Sequence, residues 1–210
     1  ERNNDFNWNE LLPGDKKANI WTNYVPFDSL PQVLNPPEGF LQNCNSNPYL
    51  ATGNSNDMSN PLSDWTGIET HQTNRALRAL ETFGADSSIS REDFFTYKYD
   101  TQYSLNSVIA KVRDRYVAEM ETNTDPKLLP ALKLIKNWNL SADSSNTAAA
   151  LAIIVLPNAF NEDKLKYKTD KITQKLHETI DYFETKFGKI DVPLGKVLRL
   201  VRGETNLPLS

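Results

Sequence analysis

The stretch TAAALAIIVL, residues 147–156, contains no charged residue. It is about half as long as the roughly 18 apolar residues needed to span a bilayer, so it reads as a short buried helix. Being apolar on every side, it needs neighbours all around it. Its surroundings supply them. Downstream, Ile172, Leu176, Ile180, Phe183 and Phe187 fall on one face of a helix predicted over about 169–187, and Gly188 is placed to end it. Upstream, Asp125 before Pro126 is a good helix start, because proline in the first turn gives up no needed hydrogen bond. That helix is expected to run to about Trp138. Further back, Leu105, Val108, Ile109, Val112, Tyr116 and Met120 form a stripe over 104–120. Ser90 and Asp93 fit an N-cap pattern for a short helix. Ala76, Leu77, Leu80 and Phe83 repeat at helical spacing before Gly84, a candidate cap. Four or five such helices make a small bundle.

Residues 1–65 have another texture. Most of the 12 prolines lie here, among many asparagines, and Pro13-Gly14, Pro26, Pro31 and Pro36-Pro37 break any helix. The run TGNSNDMSNPLS, residues 52–63, has almost nothing to bury and reads as a loop. The expected organisation is therefore an extended segment over 1–65, a helical subdomain over 66–190 and a strand and turn over 191–210. The fold class is mainly α, with short strands expected near 39–45 and 196–202.

Composition excludes several functions. A net charge of -4 and a pI near 5.3, without any run of lysine or arginine, argue against tracking a nucleic-acid backbone. No apolar run is long enough for a transmembrane helix. The single cysteine, Cys44, rules out an internal disulfide and a multi-cysteine zinc site. The chain begins with Glu1 and lacks a charged-then-apolar signal segment, which suggests a processed chain or a piece of a longer one.

Catalytic motifs are scarce in the sequence. His71 and His177 are the only histidines, and neither has metal-ligand company at helical spacing. His177 lies beside the Leu176 and Ile180 stripe, as an ordinary flank residue would. Nucleophile-elbow, phosphate-loop and EF-hand patterns are absent. Glu178, Asp181 and Glu184 share their helix with Lys171 and Lys175, the pattern of a solvated face.

One cluster stands out: NPPEGFLQNCNSNPY, residues 35–49, with three asparagines and the cysteine in close succession. With the preceding LPGDKKANIWTNYVPFDSLPQVL, it resembles the hallmark of the penicillin acylase family of N-terminal nucleophile hydrolases. The likeness is greatest to the branch of acyl-homoserine lactone acylases and aculeacin-type acylases. LKLIKNWNLSADSSNTAAALA, residues 132–152, and VPLGKVLRLVRGETNLPL, residues 192–209, are similar to later segments of the same family.

The resemblance implies a parent with the four-layer αββα fold of that family, of which this chain matches an interior part of the large subunit. It implies cleavage of a linear amide between an acyl group and an amine, with no metal or organic cofactor. The family's nucleophile, a serine at the start of the large subunit, is not among these 210 residues. The implied partners are a small-molecule acyl-amide substrate, the rest of the large subunit and a small subunit from the same precursor. Relatives of this kind act on antibiotics or quorum signals in the periplasm or outside the cell. Alone, the chain is expected to be inactive.

Acyl transfer passes through a tetrahedral oxyanion that needs preorganised donors. By resemblance, Asn45 supplies one such side-chain donor, Asn43 shapes the turn and Pro48 fixes its exit. An asparagine can equally serve to satisfy turn backbone groups. Cys44 has no basic neighbour in sequence to lower its pKa, and reads as packing. The family also uses an arginine downstream to orient the site; Arg75 is preferred over Arg78, and either can equally be a solvated helix arginine. A second function class remains, a non-catalytic helical interaction module in which segment 147–156 covers a partner.

Overall fold

The computed structural model describes residues 6–7, 10–20, 23–45, 49, 51–53, 72–157 and 168–210. The chain divides into two units, Glu1–Gln72 and Thr73–Ser210.

The second unit holds the hydrophobic core. Its described elements are α1 (Asn74–Glu81), α2 (Arg91–Lys98), α3 (Val108–Glu119), α4 (Leu129–Asn137), α5 (Ala149–Val155), α6 (Thr169–Phe187), α7 (Leu194–Val197), β1 (Arg199–Arg202) and β2 (Thr205–Pro208). The described residues are thus mainly helical, with one two-stranded antiparallel sheet in which Leu200 faces Leu207.

α5 lies at the centre, against α4, α6 and α7. Ala149, Ala150, Leu151, Ala152 and Val155 are buried, as an all-round apolar helix requires. The alanines let the neighbouring helices approach, and Leu151 fills the gap between them. From α6, Ile172, Leu176, Ile180 and Phe183 point inward, and Gly188 ends that helix at φ 72 with its N–H on the Glu184 carbonyl. Only glycine takes that left-handed position at no steric cost. Most of the apolar surface of α5 thus serves the internal core, with Ile153 and Ile154 half-buried.

Several boundaries differ from expectation for local reasons. α3 begins at Val108 because the Ser107 hydroxyl caps the Ala110 N–H, and Leu105 stays 75% exposed outside the stripe. Asp125 does start a turn, its carbonyl accepting from both Leu128 and Leu129 N–H, but regular α-helix begins only at Leu129 with Pro130 in the first turn. α1 ends at Glu81 with Thr82 as its cap residue. Gly84 is not that cap, although its N–H closes onto the Ala79 carbonyl. The Ser90 and Asp93 pair forms a full capping box, aspartate replacing the usual glutamate.

The link between α4 and α5 carries one strained residue. Leu140 adopts φ 62 with its side chain buried, a conformation costly for a bulky side chain. Three contacts over-determine it. The Tyr103 N–H donates to the Leu140 carbonyl at 2.8 Å, the Trp138 Nε1–H donates to the Ser141 carbonyl at 2.9 Å, and Arg113 Nη1 donates to the Trp138 carbonyl at 2.8 Å.

The expected strand near 196–202 is shorter and later, because Leu194–Val197 forms a helical turn first. The hairpin approaches α7 at Gly195, where a Cβ would lie 2.6 Å from the Pro208 Cβ. The strand expected near 39–45 does not form. Gly39 takes φ 73, and beyond it the side chains of Gln42 and Asn43 capture backbone N–H groups that a ladder would need.

Candidate functional site

In the first unit, the asparagine cluster is organised by its own amides. The Gln42 Oε1 accepts from the Cys44 N–H at 3.0 Å, and the Asn43 Oδ1 accepts from the Asn45 N–H at 3.2 Å. Each side-chain oxygen accepts from a backbone N–H two residues on, and for Asn43 this is the Asx-turn geometry that asparagine favours. Asn45 then adopts φ 56, a left-handed conformation that asparagine tolerates better than other chiral residues. Asn43 thus shapes the turn at whose end Asn45 lies.

Exposure alternates along this turn even though it is not a strand. Asn43 and Asn45 are exposed, and Cys44 between them is half-buried. The position of Cys44 agrees with a packing side chain. Pro48 lies outside the described residues.

Behind the turn is a polar clasp that sequence inspection missed. The Gln42 N–H donates to the Ala51 carbonyl at 2.7 Å, closing the loop at its neck. One residue beyond Ala51, the Thr52 hydroxyl reaches back past Gln42 and donates to the Glu38 carboxylate at 2.9 Å. Gly53 makes room for this: a Cβ there would lie 3.2 Å from the Glu38 Cγ. The available signal was slight, a threonine opening a polar run and a glutamate in a proline turn.

Arg75 and Arg78 belong to the second unit, on α1. Arg75 is exposed. Arg78 instead lies in an ion-pair network, with Nε 2.6 Å from Asp100 and Nη1 2.8 Å from Glu81. Its pKa is held above the ordinary arginine value, chiefly by the hydrogen bond to Asp100 and also by Glu81, against an opposing contribution from burial. Asn74 completes the same helix face. Its Nδ2 donates to the Gln102 carbonyl and its Oδ1 accepts from the Ser104 N–H, while the Ser104 hydroxyl donates to Glu81. Residues 74, 78 and 81 are one stripe of α1 tied to segment 100–104, which gives Arg78 a structural task.

The remaining candidates are ordinary. His177 Nε2 is 3.5 Å from Asp125, with both side chains partly exposed. His71 lies outside the described residues. Glu178 accepts from Gln174, and Asp181 pairs with Lys127 across to the start of α4. Among the described residues, no group of three or more His, Cys, Asp or Glu side chains is placed to hold a metal ion, and no helix is long and apolar enough to cross a membrane.

A side-chain amide can hydrogen-bond a carbonyl or an oxyanion, a capacity that acyl-transfer chemistry uses. The family model described as Penicillin amidase matches residues 2–194, and the chain belongs to that family. The membership supports an amidohydrolase role, a hydrolase acting on carbon–nitrogen bonds.

Proposed function

We propose that this chain is the interior part of the large subunit of an acylase that cleaves a linear amide between an acyl group and an amine. In the native protein, the serine at the start of that subunit attacks the carbonyl, its own α-amine serves as base, and the Asn45 side chain stabilises the oxyanion. Arg75 orients the catalytic groups. A small subunit from the same precursor completes the enzyme, which acts in the periplasm or outside the cell. Within the family, the proposed place is the branch acting on acyl-homoserine lactones or aculeacin-type substrates. The observation that carries this proposal is the family match across residues 2–194 together with an exposed Asn45 on a turn fixed by Asn43.

Intact mass and N-terminal sequence of the protein purified from its source come first. A subunit that begins with serine, contains this sequence and travels with a smaller chain is the expected result. A free native chain of 23.8 kDa would overturn the proposal, as would amide hydrolysis by the pure 210-residue chain. In the native enzyme, Asn45→Ala is expected to lower kcat by about 100- to 1,000-fold, equivalent to roughly 2.7–4 kcal/mol of transition-state stabilisation. An unchanged kcat would remove Asn45 from the site.

A further inference from the structure

We infer that the Glu38–Thr52 clasp is a positioning device for Asn45, so that Thr52 and Glu38 act on catalysis through the turn. This inference rests on the proposed role of Asn45.

Three observations converge on it. First, Thr52 is the one buried residue among the described residues of the first unit, at 3% exposure. A buried hydroxyl is costly unless it is hydrogen-bonded. Here it is bonded to a carboxylate, the stronger kind of acceptor. Second, the clasp joins the chain that enters the asparagine turn to the chain that leaves it, outside the loop closed by the Gln42 N–H to Ala51 carbonyl bond. Third, the clasp spans 14 positions of chain, whereas the bonds inside the turn span two. The bonds from Gln42 and Asn43 are local and set its shape, whereas the clasp sets where its two ends meet.

A donor for an oxyanion must lie within a few tenths of an ångström of its mark, because misplacement reduces stabilisation in the transition state more than it reduces ground-state binding. Loss of the clasp is therefore expected to appear in kcat rather than KM. A purely structural role would appear in stability, with the turnover of the folded enzyme unchanged.

The test is a double-mutant cycle in the native enzyme that contains this chain. Thr52→Val keeps the size and removes the hydroxyl, and is expected to lower kcat about ten-fold with KM changed less than about two-fold. Thr52→Ser restores the hydroxyl and is expected to recover most of the loss. Glu38→Gln keeps an acceptor oxygen and is expected to be mild, whereas Glu38→Leu is expected to match Thr52→Val. If Thr52→Val does not yield folded protein, the Glu38→Gln and Glu38→Leu pair carries the same comparison.

The decisive measurement is Thr52→Val in an Asn45→Ala background. If the clasp works through Asn45, the second substitution costs no further kcat. Additive losses would overturn the inference, as would an unchanged kcat in Thr52→Val and Glu38→Leu while Asn45→Ala is crippled. If Asn45→Ala itself keeps full kcat, the oxyanion role has failed and the inference falls with it. That outcome is separate from failure of the clasp alone.

Discussion

The two units satisfy the same physical demands by opposite means. In Thr73–Ser210, side chains such as Trp138, Tyr116, Phe183 and Leu151 are buried, and the helices exist to present them. In Glu1–Gln72, Leu11, Tyr24, Phe27 and Leu34 are exposed, and order comes from turns closed by side-chain amides. Gln32 donates to the Phe27 carbonyl, Asn19 to the Pro13 carbonyl, and Gln42 and Asn43 accept from the N–H groups of Cys44 and Asn45. Burial is cooperative, because each core residue supports many others. Local hydrogen bonds are not, and regions built from them sit at the low end of local stability. The proposed donor Asn45 thus lies in a region ordered by local hydrogen bonds, where a bond that joins chain 14 positions apart can matter.

The contrast is most easily broken by paired truncations. Phe183→Ala removes a fully buried ring that also packs edge-on against Phe187 at 5.7 Å. It is expected to cost about 3–5 kcal/mol of unfolding free energy, the usual range for large-to-small core changes. Leu34→Ala, at a residue 87% exposed, is expected to stay within about 0.5 kcal/mol. Denaturant midpoints of the two variants measure the difference. Comparable losses would mean that the first unit has a core of its own.

The same contrast explains what the sequence made legible. α6 was readable nearly to the residue, since Ile172, Leu176, Ile180 and Phe183 repeat at helical period and Gly188 terminates the helix. α5 was readable from composition alone, and the capping box from Ser90 and Asp93. Where periodicity met polar side chains, it misled. Leu105 fits the α3 stripe by spacing, yet the Ser107 cap starts the helix after it. Phe40 and Leu41 suggest a strand, but the amides that follow offer the backbone other partners. At the candidate site, the asparagines were visible as residue types with a known chemical use. The Glu38–Thr52 bond spans 14 positions and has no periodic signature. Polar contacts of that kind are specified by three-dimensional placement, so a linear reading does not find them.

A smaller effect tests whether the second unit also depends on polar fixation at its margin. Arg78→Met leaves Asp100 and Glu81 without their guanidinium, in surroundings where the Arg78 and Asp100 side chains are 26% and 17% exposed. The expected cost is about 1–2 kcal/mol, toward the range for hydrogen bonds to charged groups. Partial burial makes it only weakly sensitive to added salt. Arg75→Met, on the exposed side of the same helix, is expected to cost less than about 1 kcal/mol, within the range for exposed pairs. Thermal melts of both variants at low and high salt measure this. An equal loss for Arg75→Met would give it the structural task assigned here to Arg78, and would make any activity defect at Arg75 uninformative about orientation.

The smallest effect separates the units by acid. The Asp93 carboxylate accepts from the Ser90 hydroxyl at 2.6 Å and from the Ser90 N–H at 3.1 Å. Those two bonds, the hydroxyl first, hold its pKa below the ordinary aspartate value of 3.8. A lowered native pKa means that the unfolded chain takes up the proton first as pH falls. The box's contribution is therefore complete above the unfolded value and disappears as pH drops through the lower native one. Amide-exchange protection of Arg91–Lys98, corrected for intrinsic rates, is expected to fall below about pH 4 while the interior of α6 stays protected. Asp93→Asn is expected to abolish that acid step. The bonds to the Cys44 and Asn45 N–H groups come from neutral amides, which have no proton to gain in this range, so any acid step there has to come from a carboxylate outside the turn. An acid step at Cys44 and Asn45 that persists in Thr52→Val would mean that a carboxylate other than the clasped Glu38 controls the turn. A step that disappears in that variant would connect the turn to Glu38 through Thr52, the connection on which the placement of Asn45 depends.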